Sequence, residues 1–497
     1  MRTLLGDLLA HRLSQAPAGA LGKRLYDVLQ AAIQEGAIVT GSRLPASRDL
    51  AKELSVSRNT VLAAYEQLQS EGYLQTRTGS GTFVCDQLPE RAPEASEPVP
   101  ASCKAFNYAS FSSRGTRVLG RCGAGAYQWG AFMPGVPDVS HMPHDIWRKI
   151  QLRLSRRMPV EALSYSSHGG SPELRQALAD YLRVIRSLNC THDQILITAG
   201  THQSLDLLAK MLCDPGDGAW IEEPGYWGFR NVLAVNGVEL LPTPVDENGM
   251  VLPDTASLSG VSRAPRLICV TPSHQYPLGS VMSLQRRQQL LALAKSSGSW
   301  VVEDDYDGEF RFGESPIPAL QGLSPDAPVI YLGTFSKTLY PGLRLSYMVV
   351  PKPLAARMKI AHSELYRGGN GLVQLTLAEF IREGHYAAHV RRMRQLYSRR
   401  RAALVQVITS SLGAAFLAQQ SNAGLHLILA LPDSIDDVAL AAELEQKGVL
   451  TRPLSAYYLQ GTSRRGLLLG YACVEEQHMA ATFAPLLQCL QRHLQPA

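Results

Sequence analysis

The run Pro328–Tyr347, PVIYLGTFSKTLYPGLRLSY, decides the fold class. It opens with a short apolar, partly β-branched stretch of strand character and then breaks at Gly333. Lys337 follows among Gly, Thr and Ser, and Arg344 comes seven residues later. Lysine is strongly hydrated and seldom sits beside a buried strand without a reason. The same design recurs in QILITAGTHQSLDLLAKML (194–212), GAWIEEPGYWGFRNVLAV (218–235), RLICVTPSHQYPLG (266–279) and SWVVEDDYDGEF (299–310). Each is an apolar run that passes into a polar or Gly-containing segment. That alternation predicts an α/β fold with a mostly parallel sheet and helices on its faces. From about residue 360 the pattern is helix-rich, and AGLHLILALP (423–432) to GVLTRPLSAYY (448–458) predicts a smaller α+β subdomain.

At 497 residues the chain is expected to form more than one domain. Asp86–Lys104, DQLPERAPEASEPVPASCK, is rich in Pro, Glu, Ala and Ser and poor in large apolar residues, so it reads as a semi-extended linker. The expected division is 1–85, linker 86–104, and 105–497. No apolar run is long enough for a membrane span. Asp7 and His11 interrupt the N-terminal apolar patch, which lacks the continuous core of a secretion signal. The eight cysteines are scattered without a CxxC pair, which points to reduced thiols, no metal site and a cytoplasmic protein. The net charge of +5 says little about a polyanionic partner.

Residues 1–85 read as three helices and a β-hairpin. ALGKRLYDVLQAAIQEG has helical apolar spacing, SRDLAKEL carries a possible N-cap at Ser47, and SRNTVLAAYEQLQSEG opens on Ser57 and stops at Gly72. YLQTRTGSGTFV is a hairpin with a Gly-Ser-Gly turn. Helix, tight turn, helix and hairpin fit a winged helix-turn-helix, in which the start of the second helix faces the major groove. Ser57, Arg58, Asn59 and Thr60 occupy that start, Arg43 and Arg48 suit phosphate, and Gly79 to Thr82 form the tip of the wing. Charge alone does not select DNA, because residues 1–88 hold nine Lys/Arg against eight Asp/Glu. The stretch GSRLPASRDLAKELSVSRNTVLAAYEQLQSEGYLQTRTGSGTFV resembles the winged-helix domain of the GntR family of bacterial regulators along its whole length. The resemblance implies a double-stranded DNA operator as partner and a homodimer.

In the larger unit the distinctive residues all follow apolar runs, where open α/β sheets bind ligands. Pyridoxal 5'-phosphate accounts for the set. Its aldehyde needs an amine, Lys337. Its pyridine nitrogen needs a carboxylate, for which Asp304 and Asp305 both qualify, and Tyr306 suits the ring oxygen. Its phosphate needs a helix start at Gly200, Thr201 and His202, the hydroxyls of Thr334 and Ser336, and the cation of Arg344. Tyr226 can stack on the ring. An isolated lysine in a Ser/Thr loop is ordinarily solvated, and the aromatics are ordinarily core residues. Their convergence at one rim singles out the cofactor.

The segments SYSSHGGSPELRQALADYL, TAGTHQSLDLL, EEPGYWGFR, TPSHQYPLG, VVEDDYDGEF and GTFSKTLYPGLRLSY resemble the fold-type I aminotransferase domain of the MocR subfamily of GntR regulators. The resemblance implies Lys337 as the Schiff-base lysine and Asp304, two residues before Tyr306, at the pyridine nitrogen. It also implies a role for Tyr165 at the neighbouring subunit's phosphate. Two departures stand out. Tyr276 replaces the Asn of the usual Asn-Pro-x-Gly, and Leu468 stands where aminotransferases keep an arginine for the substrate carboxylate. Arg452, His274 and Gln275 are the candidates for an effector. The expected function is a regulator that senses pyridoxal phosphate or an amine through a Lys337 aldimine. The alternatives are a working aminotransferase with a DNA-binding appendage and a DNA-binding protein whose large domain only dimerises.

Overall fold

A computed structural model describes residues 4–17, 19–77, 79–89, 111–119, 128–165, 169–253, 264–313, 317–417, 422–460 and 464–494. They fall into two compact units, Met1–Tyr108 and Ala109–Ala497. From residue 90 onward the expected linker, 86–104, lies outside the described residues.

The first unit comprises α1 (Leu4–Gln15), α2 (Leu21–Gln34), α3 (Ser47–Leu54), α4 (Arg58–Ser70) and the antiparallel pair β1 (Leu74–Arg77) and β2 (Gly81–Val84). Helix α1 is an addition to the three expected. Leu5, Leu9 and Leu13 recur every fourth residue and turn one stripe inward, while Asp7 and His11 lie on the exposed face and do not break the helix. The core is drawn from every element: Leu9, Leu25, Leu29, Ile33, Leu50, Val61, Leu68, Leu74 and Val84 are all buried. The α3–α4 turn is short because Ser55 takes the left-handed conformation at φ 57°. Ser57 then caps α4, its side chain accepting from the Thr60 amide at 3.1 Å. Ser47 is the first residue of α3 and does not cap it; Ala46 precedes it without a side-chain bond.

In the second unit the large sheet has the order β3-β10-β9-β8-β7-β4-β5-β6. Its strands are β3 (Ile195–Thr198), β4 (Gly218–Glu223), β5 (Glu239–Asp246), β6 (Gly249–Met250), β7 (Leu267–Val270), β8 (Trp300–Asp305), β9 (Val329–Thr334) and β10 (Ser346–Val349). The run β9-β8-β7-β4-β5 is parallel; β10 pairs antiparallel with both β9 and β3. Strand β3 therefore points the same way as β9, and the C-terminal ends of β3, β4, β7, β8 and β9 share one rim. Strands β3, β7, β9 and β10 are buried throughout, the mark of a sheet covered on both faces. Neither β5 nor β10 was among the expected strands. Pro242 and Pro244 disguise β5, which lies next to the short edge strand β6. After the helices Lys352–Tyr366, Gly371–Arg382 and His385–Ser411, a separate antiparallel sheet follows. It has the order β11-β13-β12, from β11 (His426–Ala430), β12 (Arg452–Pro453) and β13 (Gly466–Gly470). This is the predicted smaller subdomain.

The Ser57 cap yields a direct expectation. Ser57→Ala removes an acceptor worth about 1 kcal/mol, so hydrogen exchange of the first-turn amides of α4 should accelerate roughly fivefold. Unchanged exchange would remove the cap from the account.

Candidate cofactor site and DNA-reading surface

In the first unit Arg58 and Asn59 project from the exposed start of α4. The hydroxyls of Ser57 and Thr60 lie 2.8 Å apart, so these two side chains bond to each other within the cap. Arg43 and Arg48 are exposed, and Thr82 is half-buried on β2. Gly79 is exposed with φ +77°, a backbone suited to glycine at the hairpin turn. The structure adds Arg77, whose guanidinium lies 4.9 Å from the centre of the Phe83 ring on the wing. The hairpin sequence signalled the wing but not this pairing.

In the second unit a cavity of about 310 Å³ opens at the sheet rim. Gly200, Thr201, His202, Tyr226, Asp304, Tyr306, Thr334, Ser336, Lys337, Arg344 and Arg452 all line it. Lys337, three residues beyond β9, is half-buried and donates from Nζ to the Gly135 carbonyl at 2.7 Å. Burial pushes its amine below the usual lysine range, opposed by the carboxylates of Asp307 and Asp304.

The pleat of β8 separates the two candidate acids. Side chains alternate along a strand, so Glu303 and Asp305 face away from Asp304. Glu303 accepts from the amides of Leu320 at 2.9 Å and Gln321 at 3.2 Å. Asp305 is paired with buried Arg186 at 2.6 Å and accepts from Tyr331 at 2.5 Å. Asp304 lines the cavity, and its Oδ1 is buried without a hydrogen-bond partner. Burial, with Asp305 adding, pushes its carboxyl up to about 8.

At the start of helix Thr201–Leu212, Gly200 has φ +145°, and a Cβ there would lie 3.2 Å from Arg344 Nη2. Glycine thus lets the guanidinium rest beside the helix N-terminus, where cation and backbone dipole both favour an anion. Thr334 Oγ1 takes the Ser336 amide at 3.1 Å and holds that loop. Tyr226 bonds His202 Nε2 at 3.0 Å, and burial keeps His202 neutral by pushing it below the usual histidine range.

Three expected residues lie elsewhere. His274 and Gln275 do not line the cavity. His274 is buried against Asp307 and Tyr306, each at 2.9 Å. Gln275 is buried and donates to Pro224 O at 2.8 Å and Tyr276 O at 2.9 Å, so its amide is committed to the backbone. Both are corrected from effector contacts to supports of the wall. Tyr165 is 80% exposed, beside Arg367, and does not reach the cavity of its own chain. Met133, Gly135, Trp227 and Tyr457 also line the cavity and went unrecognised; the 133–136 segment carries no motif. Tyr276, the departure noted above, lines it too and bonds Tyr457 hydroxyl to hydroxyl at 2.9 Å.

Residues 137–478 match the family described as aminotransferase class I and II, and residues 21–84 match bacterial regulatory proteins, gntR family. The chain is 39% identical over 458 residues to the probable rhizopine catabolism regulatory protein MocR of Rhizobium meliloti, covering 92% of this chain and 91% of that protein. This chain belongs to the MocR subfamily of GntR regulators. It is also 30% identical over 472 residues to the HTH-type pyridoxine biosynthesis transcriptional regulator PdxR of Corynebacterium glutamicum, covering 93% of this chain and 94% of that one. Among solved structures it is similar to LysN, an alpha-aminoadipate aminotransferase from Thermus thermophilus complexed with N-(5'-phosphopyridoxyl)-L-leucine. That similarity has a TM-score of 0.67 and 27% identity, covering 76% of this chain and 97% of that chain. The fold is therefore a GntR helix-turn-helix unit with a fold-type I aminotransferase domain, a class that implies dependence on pyridoxal phosphate.

The residues present fit that group. A buried carboxylate oxygen lacks a partner, an amine faces the same cavity, and a glycine clears room for a guanidinium at a helix start. Among the described residues no three His, Cys, Asp or Glu side chains are grouped to hold a metal, and no helix is long and apolar enough to cross a membrane.

The raised Asp304 carboxyl has a thermal consequence. The folded chain keeps a proton that the unfolded chain releases, so stability falls as pH rises from the ordinary 3.8 toward about 8. Melting temperature of the cofactor-free protein should drop across that window, and Asp304→Asn should flatten the drop. An identical slope in the variant would contradict this environment for Asp304.

Proposed function

We propose that this protein is a DNA-binding transcriptional regulator whose second unit carries pyridoxal 5'-phosphate on Lys337 and reads an amine effector there. The observation that carries the proposal is the meeting, in one cavity, of the Lys337 amine, the unpartnered Asp304 oxygen, and the helix start shared by Gly200 and Arg344. When bound, the cofactor supplies an aldehyde that can exchange one amine for another, together with an electron sink. The chain's own residues would do the rest. Asp304 would hold a proton on the ring nitrogen, and Tyr306 would bond the ring oxygen. Tyr226 would cover a ring face. Thr201, His202, Thr334, Ser336 and Arg344 would receive the phosphate.

Arg452 is the proposed effector contact. It pairs in register with Leu468, β12 against β13, and lines the cavity with Tyr276 and Tyr457. A guanidinium there suits an acidic group on the amine. Leu468 is fully buried in β13, so the place where the resemblance expects a substrate-binding arginine holds only core packing. This is why sensing is preferred to ordinary transamination.

Arg58 and Asn59 would read bases, with Arg43, Arg48 and the wing on phosphates. A winged helix reads one half-site, so a homodimer is proposed, with exposed Tyr165 available to a second subunit. Pyridoxal phosphate itself or the amine would act by favouring one of two states of the second unit, which requires different affinity for each.

Titration of the protein with pyridoxal phosphate should produce a visible absorbance band, and amines should change both that band and operator binding. Lys337→Ala should abolish the band and the response to amines while operator binding persists. A response retained in Lys337→Ala would defeat the proposal. Arg58→Ala should weaken operator binding by about 1–3 kcal/mol. Arg452→Leu should weaken the response to acidic amines by about tenfold or more and leave the band of the amine-free protein in place. Equal responses to acidic amines in wild type and Arg452→Leu would remove Arg452 from the effector site.

A further inference from the structure

Behind the cavity wall lies a buried acid–base pair that the functions above do not use. Asp307 and His274 are 2% and 3% exposed. His274 Nδ1 lies 2.9 Å from Asp307 Oδ2 and also 2.9 Å from the Tyr306 hydroxyl. Tyr306 is the one member of this trio that lines the cavity. A carboxylate beside an imidazole nitrogen keeps a hydrogen on that nitrogen. Here that nitrogen is within hydrogen-bond distance of both Asp307 and the phenol oxygen.

The backbone is shaped around this pair. Gly424 has φ +83°, and a Cβ built on it would fall 2.1 Å from His274 Cε1 and 2.9 Å from Asp307 Oδ2. Tyr471 donates to the Gly424 carbonyl and holds it in place. On the β11 side, His426 donates Nε2 to Pro277 O at 2.9 Å, its ring 5.6 Å from that of His274. Burial pushes His426 down to about 4, so it stays neutral and brings no cation to the pair. The other ionisable groups around Asp307 are Lys337, Asp304, Tyr306, Glu309, Arg311 and Tyr471. Of the carboxylates that favour a charged Lys337, Asp307 acts more strongly than Asp304.

We propose that Asp307 and His274 are positioning residues, which fix the Tyr306 hydroxyl at the cavity wall. This rests on the reading that Lys337 carries pyridoxal phosphate. If so, the visible band and the affinity for the cofactor depend on a pair that touches neither cofactor nor effector.

The test is the pH dependence of the visible band of full-length protein loaded with pyridoxal phosphate. In Asp307→Asn the midpoint for loss of the band should move to lower pH by about one unit or more, because a neighbouring anion favours the charged form. Asp307→Glu should restore most of the shift. His274→Asn keeps the carboxylate but frees Tyr306, so pyridoxal phosphate should bind about tenfold more weakly. It gives a second measurement if Asp307→Asn does not accumulate as folded protein. A wild-type midpoint in Asp307→Asn, or wild-type cofactor affinity in His274→Asn, would overturn the role of the pair while leaving the cofactor reading intact. Absence of a band in the wild-type protein would instead remove the cofactor reading, and the role of the pair with it.

Discussion

An amine and a carboxyl that are both driven toward their neutral forms by burial share one small cavity, and the rest of the second unit serves to keep them there. Left to themselves, Lys337 and Asp304 would be solvated. Taking either out of water is costly unless a partner restores the lost interactions. The sheet supplies the rigidity that holds both in place. Strands β8 and β9 are adjacent and parallel, with Asp304 opposite Leu332, so the acid at the end of one strand and the lysine beyond the other are held by the same ladder. The neighbouring acids are engaged on the far face by Arg186, Tyr331 and backbone amides, and of the three it is Asp304 that faces the cavity. A cationic ring nitrogen beside Asp304 and an aldehyde beside Lys337 would relieve both groups at once, which is the physical reason to place pyridoxal phosphate here.

Much of this was legible from the residues, because strand ends announce themselves. An apolar run followed by Gly, Ser, Thr or an acid marks both a strand and its rim, and five such runs placed the cavity. The choice between Asp304 and Asp305 needed the direction of the pleat and a view of Arg186, more than a hundred residues away. Spacing alone could not supply that, although resemblance pointed to Asp304. His274 and Gln275 illustrate the opposite failure. They sit at a rim and carry the right chemistry, but the turn after β7 folds them inward, where Asp307 and the backbone claim their polar atoms. Arg452 and Leu468 become neighbours only through the pairing of β12 with β13. Gly135, which meets the lysine from a segment without any motif, had no signal beyond its identity.

The first unit follows a simpler logic. Its helices bury one stripe each, and the start of α4 is left open with Arg58 and Asn59 exposed. The missed helix α1 shows how an apolar repeat of four can survive an acid and a histidine, provided these fall on the outer face. Under the proposed function, a chain that joins this reader of grooves to an amine-binding cavity would turn the chemistry of a small molecule into occupancy of an operator. The coupling demands only that the cavity prefer one state of its unit when filled.

The most direct test of the central claim is chemical trapping. Protein expressed with an ample supply of the vitamin precursor is treated with borohydride, digested, and mapped by mass spectrometry. The account predicts a phosphopyridoxyl group fixed to the peptide carrying Lys337. Protein that takes up no such group, or carries it spread over surface lysines with the Lys337 peptide unmodified, would contradict it.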